Sequence, residues 1–297
     1  MRPQTHRANE WDESVTSFCV CRGIYTPLTT QESVLLVHNI SDADMARAKG
    51  KIVEPDKDGK ERDKPAGFGL PGGGMKGEDF ESPEEAARNE LLGETGVRTL
   101  TVKHLLTEYK GLPVNKHGEV AGKPFYFEKG ARPSVELRRG DRIIENPVHL
   151  FETKIEWEGS RLQKIFMESK KDLLSQFPDE DLERNGICVW LDEIDHILER
   201  LGVDLSIGVD EFIAHKDIVR PSDKVRSRTR AALYLGIEEF DEIDGLAIIP
   251  IKTLLGDIYH EERRKPQGQR PFYTSHLRRL KKGLEQKGCL DDIMSAI

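Results

Sequence analysis

A glycine-rich loop runs directly into a carboxylate-rich helix between Leu70 and Val97, where the chain reads LPGGGMKGEDFESPEEAARNELLGETGV. Glycine removes the side chain where a backbone must turn tightly or approach a ligand closely. The pattern predicts a loop, a helix and a second loop in that order. It also places backbone and carboxylates close together, which suits the binding of a cation and a phosphate.

The start and the end of this helix are marked in the sequence. Ser82 suits the N-cap, Pro83 suits the first helical position, and Glu85 completes an S-x-x-E capping box. Two glycines in LLGETG favour an end near Thr95. The sequence therefore predicts a helix from about Pro83 to Thr95.

Glu90 and Glu94 are four residues apart, so they lie on one face of this helix. Like charges at this spacing destabilise a helix by roughly a few tenths of a kcal/mol unless a cation lies between them. An isolated pair is typical of a solvated surface helix. The preceding PGGG loop instead favours a ligand site, because its backbone can approach a ligand closely. Ligands that offer only oxygen suit Mg²⁺, which usually shares its coordination shell with substrate phosphate.

The same segment resembles the Nudix box, which ends in Arg-Glu-aliphatic-any-Glu-Glu-any-Gly-aliphatic. Five residues match that ending: Glu90, Leu91, Glu94, Gly96 and Val97. Glu81 stands where the box has its first glutamate, and Gly74 stands one position upstream of the box's first glycine, which implies one extra loop residue.

Two positions depart from the box. Asn89 replaces the arginine, and Gly93 replaces the first of the paired glutamates. Arg88 is no substitute, since a shift of one residue rotates a side chain by about 100° around a helix. The sequence leaves open which carboxylate, if any, replaces the one missing at Gly93. The candidates are Glu108, Glu152, Glu156, Glu168 and Glu183.

The resemblance implies a metal-dependent hydrolase of the pyrophosphate bond in a nucleoside diphosphate linked to another group. It implies Glu90 and Glu94 as catalytic residues and ligands of Mg²⁺, with Mn²⁺ as an alternative ion. Glu81 is implied as a further ligand or as a partner of the ligands, and Gly73 is implied to offer a backbone carbonyl to the metal. A small nucleotide is the expected partner.

Three arginines in the turn LRRGDR are candidates for binding the substrate, namely Arg138, Arg139 and Arg142. The forked guanidinium of arginine matches the geometry of phosphate. A solvated basic turn remains the alternative.

Two other readings of the motif stay open. Because of Gly93 and Asn89, the chain is alternatively a catalytically impaired nucleotide-binding or regulatory module that keeps the fold. In the third reading, the motif is coincidental in an unrelated α/β protein.

Strand-like segments at 34–39, 99–109 and 123–129 and a helical segment at 161–177 alternate along the chain. Two short strand-into-helix segments follow, ICVWLDEIDHILERLG and GLAIIPIKTLLGDI. This alternation indicates an α/β (α+β) fold. The resemblance makes this a Nudix-like α/β/α sandwich with a mixed sheet, elaborated by insertions. We expect a polar tail at 1–14 and one domain at 15–286, with insertions near 49–66 and 160–236. A C-terminal tail at 287–297 completes this division.

With 297 residues and a formal net charge of −8, the chain is large enough for a substantial core and too acidic for general nucleic-acid binding. The N-terminus has no apolar signal segment, and no run reaches the roughly 18 apolar residues of a membrane span. We therefore expect a cytoplasmic protein without membrane association. A homo-oligomer is compatible with the sequence.

Overall fold

The computed structural model describes most of the chain and has a mixed α/β fold, as predicted. The described residues are 13–21, 32–50, 65–75, 82–115, 125–128, 141–203, 208–219, 221–265 and 271–295. The N-terminal segment 1–12 and most of the charged insertion predicted near 49–66 lie outside these ranges.

The described strands form one mixed sheet. They are β1 (Glu13–Cys21), β2 (Ser33–Asn39), β3 (Gly67–Gly69), β4 (Gly74–Met75), β5 (Thr99–Val114), β6 (Phe125–Phe127), β7 (Arg142–Ile155), β8 (Ile187–Trp190) and β9 (Ile243–Pro250). Their order is β6-β5-β7-β1-β2-β9-β8, with β3 paired to β2 and β4 paired to β1. The pair β1–β7 is parallel, and the other described pairs are antiparallel.

Eleven α-helices are described between and after the strands. They are α1 (Asp42–Ala48), α2 (Pro83–Thr95), α3 (Arg161–Gln176), α4 (Leu182–Asn185), α5 (Asp195–Arg200), α6 (Val209–His215), α7 (Asp223–Leu235), α8 (Ile251–Thr253), α9 (Tyr259–Arg264), α10 (Thr274–Lys287) and α11 (Leu290–Ser295). A π-helical turn at Leu254–Ile258 joins α8 to α9. Within the described ranges, no helix combines the length and the apolar character that crossing a membrane requires.

Helices cover both faces of the sheet. Successive side chains of a strand point to opposite faces, and Leu150 and Phe151 of β7 illustrate this. Phe151 packs against Ala86 and Ala87 of α2, whereas Leu150 shares a cluster with Leu280 of α10. The arrangement is therefore the α/β/α sandwich expected from the sequence.

Residues 160–236, predicted as an insertion, contribute most of the helices on the α2 face. Apolar side chains of α3, α5, α6 and α7 form one buried cluster with Leu91 of α2 and with Leu35 of β2. This packing holds the C-terminal half of α2 against the end of α7. On the opposite face, α11 lies within the predicted tail 287–297. Its Ile293 and Met294 pack against the cluster that contains Leu150 and Leu280.

Several predicted elements are confirmed at nearly the predicted bounds. They include the strand expected at 34–39 and the helix expected at 161–177. The strand expected at 99–109 continues five residues further, to Val114. Of the strand expected at 123–129, the structure describes Phe125–Phe127. The two strand-into-helix segments form the adjacent antiparallel strands β8 and β9.

Candidate metal centre

Helix α2 has the predicted bounds and caps. The Ser82 hydroxyl accepts a hydrogen bond from the Glu85 N–H at 3.2 Å, and Pro83 occupies the first turn. Gly96 ends the helix at φ 68°, in the left-handed region that favours glycine. A Cβ at Gly96 would lie 2.0 Å from the carbonyl oxygen of Leu235, so glycine also permits the close approach of α7.

The glycine loop lies directly against β1. The Pro71 carbonyl accepts a hydrogen bond from the Ser17 N–H at 2.7 Å, and the Gly73 carbonyl accepts one from the Val15 N–H at 3.0 Å. Gly72, at φ 149°, leaves no room for a side chain, because a Cβ would lie 2.1 Å from the Val15 carbonyl oxygen. These contacts fix the loop in front of the C-terminal half of α2.

Both predicted glutamates of α2 contact this loop. The Gly72 N–H donates to Oε2 of Glu94 at 2.7 Å, and Glu94 is buried. Glu90 is half-buried, and its carboxylate lies over the α-carbon of Gly73, where a Cβ would meet both oxygens at 2.5 Å. The glycines at 72 and 73 therefore provide the space that brings the two carboxylates together against the backbone.

A third carboxylate comes from Glu239, in the turn between α7 and β9. One carboxylate oxygen each from Glu90, Glu94 and Glu239 lie within 4.8 Å of one another. The Gly93 carbonyl accepts hydrogen bonds from the N–H groups of Glu238 (2.8 Å) and Glu239 (3.1 Å). A Cβ at Gly93 would lie 2.8 Å from Oε1 of Glu239. The position that lacks the glutamate of the box is thus occupied by a carboxylate from elsewhere in the chain.

The electrostatics of Glu239 reflect this crowding. Burial, together with the negative charges of Glu90 and Glu242, raises the pKa of the Glu239 carboxyl to about 8, against the opposing charge of Lys216. A divalent cation would relieve the repulsion among the three carboxylates, and oxygen donors are the ligands that Mg²⁺ and Mn²⁺ prefer. The residues present therefore fit the metal that the sequence implies.

Sequence reasoning did not find Glu239. Of the five carboxylates considered for this role, Glu108 pairs with Arg278 at 2.8 Å, Glu152 pairs with Lys287, and Glu168 pairs with Lys171. In the sequence, Glu239 is marked by the acidic run EEFDEID at 238–244. Such a run alone is typical of a solvated surface turn.

The other predicted site residues are placed as follows. Gly73 lies at the candidate metal centre, beside Glu90, and its carbonyl accepts the hydrogen bond from the Val15 N–H of β1. Arg142 is exposed at the first residue of β7, paired with Val114, about 30 Å along the strand from Phe151 at a rise of ~3.3 Å per residue. Glu81, Arg138 and Arg139 lie outside the described residues. Their roles stay predictions.

Comparisons with known proteins give no family assignment. No family model and no curated protein matches the chain. Among solved structures, the NUDIX domain of Shewanella oneidensis NrtR complexed with ADP ribose matches at 17% identity. That match covers 53% of this chain and 68% of the other, with a TM-score of 0.24.

Shewanella oneidensis NrtR complexed with a 27mer DNA matches at 13% identity, over 69% of this chain and 81% of the other, with a TM-score of 0.22. Because both TM-scores are below 0.5, function has to be inferred from the residues of this chain.

Proposed function

We propose that this chain is a Mg²⁺- or Mn²⁺-dependent hydrolase of the pyrophosphate bond in a nucleoside diphosphate derivative. The observation that carries the proposal is the convergence of Glu90, Glu94 and Glu239 within 4.8 Å, beside a glycine loop. The resemblance of residues 74–97 to the Nudix box supports the choice of substrate class. The proposal includes Glu81, Arg138 and Arg139 in their predicted roles. It leaves out Arg142, which lies at the far end of β7, about 30 Å along the strand from Phe151.

Glu239 bears directly on whether the departures from the box abolish activity. Gly93 lacks a carboxylate, but the Glu239 carboxylate lies where a side chain at Gly93 would begin. The number of acidic groups expected around the metal is therefore retained, although one of them comes from another part of the chain. This favours an active hydrolase over an impaired binding module.

The residues of this chain would act by holding three carboxyl groups in fixed positions around the cation. The Gly72 N–H orients the Glu94 carboxylate, and packing against Gly73 limits the movement of Glu90. The Glu239 carboxyl, with a pKa of about 8, carries a proton in the metal-free protein at neutral pH and must release it when a cation binds. When bound, the cation supplies electrostatic stabilisation of the charge that develops on the phosphate oxygens.

The proposal is tested by phosphate release, through a coupled phosphatase, from a panel of nucleoside diphosphate derivatives that includes ADP-ribose. Each substrate is assayed with Mg²⁺ and with Mn²⁺. We expect Glu94→Gln to abolish metal-dependent turnover while the fold is retained. Glu84→Gln, in the exposed first turn of the same helix, is the matched control and should turn over like the wild type.

Two results would contradict the hydrolase. Turnover by Glu94→Gln at the wild-type rate would remove the assigned site. Nucleotide binding measured by calorimetry, without turnover of any substrate with either metal, would favour the binding module instead.

A further inference from the structure

The turn at 238–242 carries Glu239, and its backbone is anchored at both ends. Its first N–H groups donate to the Gly93 carbonyl, and the Glu242 carbonyl accepts a hydrogen bond from the Ile40 N–H at 2.8 Å. Within the turn, the Ile243 N–H donates to the Glu239 carbonyl at 3.1 Å. The turn is therefore fixed to α2 on one side and to the end of β2 on the other.

A buried ion-pair cluster anchors the middle of the same turn. Asp241 is only 5% exposed, and its carboxylate lies between two ammonium groups. Lys49 Nζ lies 2.7 Å from Oδ2 of Asp241, and Lys216 Nζ lies 3.2 Å from Oδ1. Lys49 caps the end of α1 and Lys216 caps the end of α6, so two separate elements hold one side chain.

The cluster is built to keep Asp241 charged. Burial opposes ionisation of this carboxyl, but the hydrogen bond from Lys49 and the charge of Lys216 outweigh it, and the pKa of Asp241 lies below its usual range. A buried carboxylate with two cationic partners resists displacement, because moving it would leave an uncompensated buried charge. Asp241 is thus a firm anchor two residues from Glu239.

We propose that Asp241, held by Lys49 and Lys216, is a positioning residue that keeps the Glu239 carboxylate at the metal centre. This inference rests on the proposed function, since it concerns the same cation. In the ionised form that a cation requires, the Glu239 carboxylate is repelled by Glu90. The anchored turn holds the Glu239 side chain beside Glu90 against that repulsion.

A purely electrostatic role for the lysines predicts the opposite sign from a positioning role. By Coulomb's law alone, removing a positive charge near a cation site strengthens cation binding. If Lys216 instead holds the turn in place, its removal weakens cation binding, because Glu239 is no longer presented. Partners behind a metal ligand typically change metal affinity by about 10- to 100-fold when they are mutated.

The experiment measures Mn²⁺ binding to the full-length protein by electron paramagnetic resonance, which needs no substrate and no turnover. We expect Lys216→Gln and Lys49→Gln each to weaken Mn²⁺ binding by about 10-fold or more, and Lys216→Arg to bind like the wild type. Lys224→Gln, on α7, is the matched control, because Lys224 is 82% exposed and pairs with Asp192 of the turn between β8 and α5. Its Mn²⁺ affinity should be unchanged.

Unchanged or tighter Mn²⁺ binding by both Lys216→Gln and Lys49→Gln would overturn the inference while leaving the proposed function intact. Failure of the wild type to bind Mn²⁺ would overturn the proposed function and the inference with it. Asp241→Asn removes the anchoring carboxylate itself. It should weaken Mn²⁺ binding at least as much as the lysine variants, and wild-type affinity in this variant would also refute the positioning role.

Discussion

The carboxylate of Glu239 lies over the α-carbon of Gly93, with Oε1 2.8 Å from the place where a Cβ would stand. Glycine inside a helix costs about 1 kcal/mol relative to alanine. At this position, the absence of a side chain leaves the space that the carboxylate of Glu239 occupies. A local defect in the motif of α2 and a distant acidic turn are therefore two parts of one arrangement.

This relationship predicts that the carboxylate can be moved back onto the helix. Glu239→Ala should weaken Mn²⁺ binding at least about 10-fold, since one of three carboxylates is removed. Combining it with Gly93→Glu should restore much of the affinity, because a glutamate at position 93 enters the vacated space. Calorimetric titration with Mn²⁺ compares the two variants. No recovery in the double variant would contradict the spatial equivalence of the two positions.

The raised pKa of Glu239 predicts that cation binding depends on pH. Below a pKa of about 8 the carboxyl is protonated, so Mn²⁺ must displace a proton. Apparent affinity should rise roughly tenfold per pH unit up to about pH 7 and level off above pH 8. Burial is the largest cause of this raised pKa, and the neighbouring charges that contribute are Glu90, Glu242, Lys216 and Asp241.

The same shift has a defined effect on folding of the metal-free protein. The contribution of Glu239 to stability is fully present below its ordinary pKa of 4.5 and is lost as the pH rises through about 8.

Titrations with Mn²⁺ at several pH values, repeated on Glu239→Gln, check that Glu239 is the group behind the pH dependence of cation binding. A pH dependence that persists unchanged in Glu239→Gln would assign the proton to another group.

Another buried carboxylate, on the opposite face of the sheet, is predicted to affect stability alone. Glu108 is 1% exposed and neutralises Arg278 at 2.8 Å and Lys282 at 3.1 Å, beside the buried Arg279. Glu108→Gln leaves Arg278 and the buried Arg279 without this carboxylate and should cost about 3 kcal/mol of unfolding free energy. Chemical denaturation measures the loss, and Mn²⁺ affinity should stay unchanged.

Glu128 provides the matched control for Glu108. It pairs with the same Lys282 at 3.0 Å but is 73% exposed, and exposed ion pairs contribute little. Glu128→Gln should leave the denaturation midpoint nearly unchanged. Equal losses in the two variants would contradict a special role for the buried carboxylate.

The end of α2 gives a prediction about backbone geometry. Gly96→Ala combines a left-handed φ of 68° with a Cβ that would lie 2.0 Å from the Leu235 carbonyl oxygen. Gly159→Ala has a similar φ of 74° but nothing within 4 Å of its Cβ. The control should lose about 1 kcal/mol, the left-handed cost alone. Gly96→Ala should lose clearly more in thermal unfolding, and equal losses would show that α7 does not constrain this turn.

The sequence predicts the local parts of the candidate centre and misses the part that depends on tertiary packing. Glu90 and Glu94 are found because helical spacing places them on one face, and Ser82 and Gly96 mark the helix bounds. Glu239 is missed because its place beside Gly93 depends on how α7 packs against α2, which no local pattern encodes. Likewise, strands β8 and β9 are recognisable separately, but their pairing is not.

The most direct test is the anomalous scattering of Mn²⁺ in crystals of the wild-type protein and of Glu239→Gln. The arrangement of Glu90, Glu94 and Glu239 predicts a Mn²⁺ peak about 2.1 Å from a carboxylate oxygen of each, close to the distance for Mg²⁺. In Glu239→Gln the peak should be weaker or absent. A wild-type peak located elsewhere, or one that contacts Glu90 and Glu94 but not Glu239, would contradict the three-carboxylate centre.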